Sequence, residues 1–264
     1  SMYTKLKTGG ASYDVIIPSD YMIAKLIEED MLEPLNFDNI PNFADIDPNL
    51  LNPAYDPENL YSVPYMWGLL GVIYNKTMVD EADLGSWDLM WNEKYADDIL
   101  MFDNSRDAIG IGLKMLGYSY NTTDENQIKE AVDLLVEQKP LVQAYVMDEV
   151  FGKMEGGNAA VGTYYYGDYL TMVENNPDLG FYIPEEGTNT YVDAMCILKG
   201  AKNKENAEAF INYMCSTEAG LKNCEEIWYS TPLMSVREEL DPEVANDPYA
   251  YPDEEIMAKC ESYA

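Results

Sequence analysis

The chain contains no histidine. That removes the side chain most often used as a general base near neutral pH, and the commonest zinc ligand with it. Its four cysteines, Cys196, Cys215, Cys224 and Cys260, form no C-x-x-C pair, which argues against a zinc knuckle or a thioredoxin-like motif. Basic residues are scarce: 16 Lys and Arg stand against 48 Asp and Glu, a formal charge of −32. Such a chain repels nucleic-acid phosphates and anionic membranes and draws cations at long range, so no nucleic-acid partner is expected. Most of these carboxylates belong to a solvated surface. Apolar runs such as Leu69–Tyr74 are far too short to span a bilayer, and no signal peptide opens the chain. Ser1-Met2 reads as an expression remnant, which leaves open a leader or anchor lost upstream. The glycines form neither a G-x-G-x-x-G turn nor a G-x-S-x-G elbow, so nucleotide and serine-hydrolase readings have no footing.

Tyrosine is abundant, and Ala159–Tyr169, AAVGTYYYGDY, concentrates it. The small and apolar start reads as a short buried strand, with Gly162 and Gly167 allowing tight packing or a turn. It surfaces where Tyr164, Tyr165 and Tyr166 set flat, amphipathic rings beside a carboxylate. Such rings suit a ligand that is both apolar and cationic; plain packing at a strand end fits the same residues.

With 264 residues, one or two domains are expected. Strands and helices alternate, which makes the chain α/β. Tyr13–Ile17 is a β-branched strand closed by Pro18, and Ser19 or Asp20 caps the helix that carries Met22, Ile23, Leu26 and Ile27. A strand end thus meets a helix start, the usual place for ligands in open α/β sheets. Residues 32–63 read as a long surface connection. Tyr65–Asn75 is either a strand crossing between two lobes or an ordinary buried strand with a bulge. Ser86–Tyr95 is read as a helix with Trp87 and Trp91 on its core face. Ile99–Phe102 is a strand running into a helix through Leu116. Asp124–Lys139 is an amphipathic helix with a capping box of Asp124 and Gln127. Further strands fall at Ala160–Tyr164, Leu179–Ile183 and Val192–Leu198, the last burying Cys196. Helices follow near Lys204–Met214 and Thr217–Ile227, with Ser216 between them as a cap, and the tail is helical from Pro252. A Cys224–Cys260 disulfide is an expectation for an oxidising compartment.

The segments YTKLKTGGASYDVIIPSDY, YSVPYMWGLLGVIYN, GSWDLMWNEKY, LKMLGYSYNTTD, YVDAMCILKGAKNKENAEAFINYM, YSTPL and PEVANDPYAYPDEE resemble bacterial extracellular solute-binding proteins for spermidine and putrescine. The likeness runs collinearly over nearly the whole chain. It implies a type II periplasmic-binding-protein fold, with two α/β lobes joined by crossing segments and closing on ligand. Residues 1–68 and 193–237 then form one lobe without its first strand, and 72–190 and 241–264 form the other. The family's first strand would lie upstream of residue 1 and its last helix beyond the end, so the chain reads as a fragment. The resemblance places Ser19 and Tyr21 in the cleft from the P-S-x-Y strand end, and Asn104 and Asp107 from the acidic pair of the second lobe. Tyr165 follows the small-residue strand, Tyr191 and Asp193 stand in the W-x-D motif, Tyr229 is the Y-x-T-P tyrosine, and Tyr263 lies near the C-terminal helix position. The family usually has tryptophan at the positions of Tyr165 and Tyr191 and commonly aspartate at Asn104. Tyr164 is expected in the core, and Tyr166 and Asp168 at the rim.

The implied partners are a polyamine and the permease subunits of an ABC importer, in an extracytoplasmic setting reached through an anchor or a fused permease, with no cofactor and no catalysis. A buried ammonium needs a carboxylate partner and a methylene chain favours aromatic walls, which matches these residue types. Two other readings are ferric-ion capture by adjacent tyrosinates, which are hard oxygen ligands, and a glycosidase with paired carboxylates.

Overall fold

A computed structural model describes residues 2–9 and 12–263; Ser1, Gly10, Ala11 and Ala264, and with them the reading of Ser1 as a remnant, lie outside the described residues. In chain order the strands are β1 (Val15–Ile16), β2 (Leu32–Glu33), β3 (Ser62–Asn75), β4 (Ile99–Phe102), β5 (Val142–Val146), β6 (Val161–Tyr165), β7 (Leu179–Tyr182), β8 (Asn189–Leu198) and β9 (Glu261–Ser262). The helices that frame them are α1 (Met2–Lys7), α2 (Asp20–Glu28), α3 (Ser105–Met115), α4 (Glu125–Gln138), α5 (Glu149–Glu155), α6 (Tyr166–Asn175), α7 (Lys204–Met214) and α8 (Thr217–Ile227).

Strand β3 organises the molecule. Its residues are almost continuously apolar, the pattern of a strand covered on both faces. From Ser62 to Leu69 it pairs antiparallel with β8, from Leu70 to Tyr74 with β6, and from Val72 to Asn75 with β7. It therefore crosses from one set of strands to another, and it also carries a register shift between Pro64 and Met66. Both readings of this segment hold together. Proline, which donates no N–H to a ladder, sits at the irregularity. At Gly71 an added Cβ would fall 2.7 Å from the Tyr182 carbonyl oxygen, so glycine is what lets β7 lie this close. One apolar core surrounds the β4, β6 and β7 end of the sheet, with Phe102, Ile111, Met154 and Met172 buried. Two others flank β8, around Val63, Met195 and Ile211 and around Ile23, Leu26 and Cys196. Each such fully buried aliphatic side chain contributes about 1.5–3 kcal/mol of apolar burial.

β4, α7 and α8 form where pattern places them, and Ser216 caps α8 by accepting from the Ala219 N–H at 3.3 Å. Residues 32–63 differ from a plain surface connection. They contain β2 and short 3-10 turns at Phe37–Asn39, Pro41–Asp45 and Pro48–Leu50, and they bury Leu35, Ile40, Ile46 and Tyr55. Buried Glu208 on α7 ties this segment down, accepting from the Asn36 N–H at 2.8 Å and Asn39 Nδ2 at 2.6 Å. The Ser86–Tyr95 helix is instead two 3-10 turns, Trp87–Trp91 and Glu93–Tyr95, with Trp87 fully buried. The α4 capping box is half formed. Asp124 accepts from the Asn126 N–H, but Gln127 Oε1 accepts from the Thr122 hydroxyl. No Cys224–Cys260 disulfide exists: all four cysteines are free, with the Cys260 thiol donating to the Ile256 carbonyl at 3.2 Å. The tail helix is confined to Glu254–Met257, after which the chain becomes β9 and pairs in parallel with Asn189 and Thr190 of β8. Gly187, at φ +90°, permits that turn, because a Cβ there would strike the Lys259 carbonyl at 1.9 Å.

Candidate functional site

A cavity of about 120 Å³ lies where the crossing strands meet the starts of α2, α3 and α6. All nine residues singled out from the sequence line it, together with Asp20 and Asn189. Larger hollows lie elsewhere among the described residues, two of them above 400 Å³. One of about 480 Å³ around Met234 and Arg237 is lined by no aromatic ring, and one of about 430 Å³ near Lys199 carries two lysines.

On one side, β1 ends at Pro18 and Ser19 becomes the residue before α2. Its hydroxyl does not cap the helix but donates to Asp193 Oδ1 at 2.6 Å, and the two backbones form an isolated antiparallel bridge. Tyr191 and Asp193 are two apart on β8 and so share a face. Opposite, β4 delivers Asn104 to the cap of α3, where its Oδ1 accepts from the Arg106 N–H and its Nδ2 donates to Asp107 Oδ2 at 2.7 Å. Asp107 also accepts from Tyr165 at 2.8 Å on Oδ2 and from Tyr263 at 3.2 Å on Oδ1. Its place in the first turn of α3 favours its negative charge.

The rings form a connected wall. Tyr165 meets Tyr191 edge-on at 4.9 Å between centroids, and Tyr191 meets Tyr229 at 5.8 Å. Tyr21 and Tyr263 stand edge to face at 6.0 Å, and the Arg106 guanidinium covers them from outside, 4.4 Å from the Tyr21 centroid and 5.1 Å from that of Tyr263. Glycines seat this wall: a Cβ on Gly167 would lie 1.9 Å from the Tyr229 ring, and one on Gly68 2.6 Å from the Tyr191 hydroxyl. The tail turn brings Tyr263 in, and Asn189 fixes it by donating from Nδ2 to the Glu261 carbonyl at 3.0 Å.

Burial pushes the Asp107 and Asp193 carboxyls up, partly offset by donors, Tyr165 and Tyr263 for Asp107 and Ser19 for Asp193. Asp168 rises to about 6 for the same reason, against the opposing hydrogen bond from Tyr229 at 2.8 Å. Burial also raises the phenols of Tyr165, Tyr191, Tyr229 and Tyr263, so they stay neutral donors. Among the described residues no lysine or arginine lines the cavity. The hydrogen-bond donors to Asp107 and Asp193 are all neutral, and Arg106, outside the lining, is the cation that acts on Asp107, so the lining itself leaves room for a cation.

The tyrosine run does not converge on one point. Tyr164 is in the core, with its ring 5.4 Å from that of Phe102, as alternation requires. Tyr166 is buried rather than at the rim, because α6 begins there and turns its hydroxyl to Asp247 at 2.6 Å. Three phenols, each raised by burial and each turned to a different carboxylate, do not make a tyrosinate metal site. Asp20 and Asn189 escaped the sequence reading. Asp20 stood inside the quoted P-S-D-Y motif but read as a helix cap; nothing local marks Asn189.

The bacterial extracellular solute-binding protein family model matches residues 11–260. The chain belongs to this bacterial extracellular solute-binding protein family. Among its relatives, the spermidine/putrescine-binding periplasmic protein of Salmonella typhimurium is 34% identical over 262 residues, covering 99% of this chain and 75% of that protein. The structure of the spermidine/putrescine ABC transporter substrate-binding protein PotD from Streptococcus pneumoniae superposes with a TM-score of 0.87 at 44% identity, covering 100% of this chain and 81% of that one. A putative spermidine/putrescine ABC transporter from Listeria monocytogenes gives 0.93 at 38% identity, over 99% and 81%. The architecture described above is the α/β fold of these extracellular solute-binding proteins.

Proposed function

We propose that this chain is the ligand-binding component of an ABC importer for polyamines, acting outside the cytoplasmic membrane and passing spermidine or putrescine to permease subunits. The observation that carries the reading is the convergence of buried carboxylates and a tyrosine wall with no basic side chain in the lining. A polyamine is a methylene chain punctuated by ammonium groups. Asp107 and Asp193 neutralise ammoniums, while Tyr21, Tyr165, Tyr191 and Tyr229 strip water from the methylenes and add about 0.5–2 kcal/mol for each cation over a ring. Ser19 and Asn104 orient the two carboxylates, and Tyr263 closes the end of the cavity. Residues 1–68 with 193–237, and 72–190 with 241–264, act as lobes that close about β3 and β8. The site binds and releases without catalysis and needs no cofactor.

Calorimetry with spermidine, spermine and putrescine, on this chain and on one extended upstream of residue 1, tests the reading. One-to-one binding with a rise in melting temperature is expected. No heat and no thermal stabilisation of the extended chain at millimolar polyamine would sink it.

A further inference from the structure

Asp20 is fully buried at the start of α2, yet it lines the same cavity. Its Oδ1 accepts from the Tyr21 N–H at 2.7 Å, and the Val192 N–H is directed at the same carboxyl. Its Oδ2 has no hydrogen-bond partner among the described residues. A helix cap would not need this: the residue before the helix is Ser19, and the only side-chain contact of Asp20 to the helix backbone is to the next N–H. A buried carboxylate oxygen without a donor, in the wall of a cavity whose lining holds no basic side chain, is a group in want of one.

We propose that Asp20 is a third carboxylate contact for the ligand, which makes the site selective for a polyamine with three ammonium groups over one with two. This rests on the polyamine reading above. The charge count explains the selectivity. With Asn104 neutral, the cavity holds the carboxyls of Asp20, Asp107 and Asp193. A diamine leaves one of these buried without a countercharge, and the cheapest remedy is to protonate it; a triamine neutralises all three ionised. Asp20 is the group poised for that exchange. Burial first, then the charges of Asp193 on β8 and Asp107 on α3, push it up to about 7. The neutral phenols of Tyr21 and Tyr55 also face it.

The test compares wild type and Asp20→Asn by titration with spermidine and with putrescine. Spermidine affinity falls by about 10- to 100-fold, the worth of one charge-assisted contact, while putrescine affinity changes by less than about threefold. The unliganded variant melts no lower than wild type, which a structural role for the carboxylate would not allow. Equal losses for the two ligands, or no loss, overturn the proposal while leaving polyamine binding intact. If wild type binds neither ligand, the polyamine reading falls and this one with it. A second readout needs no variant. Near pH 7, calorimetry of wild type in buffers of different ionisation heat shows about one more proton released with spermidine than with putrescine, and equal release overturns the proposal.

Discussion

Replacing Asp107 with alanine is expected to weaken polyamine binding by about 100-fold or more, the largest effect of any single change in the site. Asp107 is the meeting point of three donors from three elements: Asn104 Nδ2 ahead of α3, the Tyr165 hydroxyl at the end of β6 and the Tyr263 hydroxyl after β9. Its loss removes an ammonium partner and leaves all three donors without this buried acceptor. Stability should fall by about 2–4 kcal/mol for the same reason. Asp107→Asn separates the two consequences. It keeps an acceptor oxygen but not the charge, so it holds stability near wild type and still loses about 10- to 100-fold in affinity. Titration calorimetry and thermal melts of both variants check this, and wild-type affinity in Asp107→Ala would remove the residue from the site.

The second large effect is on pH. Spermidine affinity and the Asp20 share of the unliganded protein's stability should move in opposite directions. The Asp20 carboxyl lies at about 7 in the folded chain against an ordinary value of 3.8, and Asp168 lies at about 6. An acid raised on folding binds more protons in the folded state, so its stabilising share is present at low pH and lost as pH rises through the folded value. For Asp20 the gap of roughly three units corresponds to about 4 kcal/mol between acid and alkaline conditions. Carboxylates lowered by ion pairs or hydrogen bonds, such as Asp14, Glu29 and Asp83, work the other way, so a raw pH profile mixes both signs. The clean quantity is the difference between wild type and Asp20→Asn. The variant should be the more stable at pH 8, with the gap narrowing toward pH 5. Spermidine affinity in wild type should fall over the same acidification, because a protonated Asp20 no longer pairs with an ammonium. A variant less stable than wild type at pH 8, or a gap that ignores pH, contradicts the assignment.

The cavity lining was legible through the family resemblance, whose P-S-x-Y, W-x-D and Y-x-T-P motifs pointed to Ser19, Tyr21, Tyr191, Asp193 and Tyr229, residues the fold brings to one cavity. The strands were legible where apolar and β-branched residues ran without interruption, as in β3 and β4. Residues 32–63 were opaque for a physical reason. Their 3-10 turns are held by single side-chain caps such as Asn36 and Asp47, which leave no periodicity, and their burial depends on Glu208 far along the chain. β9 was opaque because two residues pair with a strand about 70 positions away, a contact that local pattern does not encode. Asp20 was hidden by having an adequate local explanation. A capping residue and a buried ligand carboxylate look alike until the cavity wall is known.

The most direct test is the structure of the protein crystallised with spermidine. The ammonium nitrogens should lie within hydrogen-bond distance of Asp107, Asp193 and the bare oxygen of Asp20, with the methylenes against Tyr165, Tyr191 and Tyr229. Spermidine seated elsewhere, for instance in the hollow beside Met234 and Arg237, or bound in this cavity with Asp107 and Asp193 still paired only to their neutral donors, would contradict it.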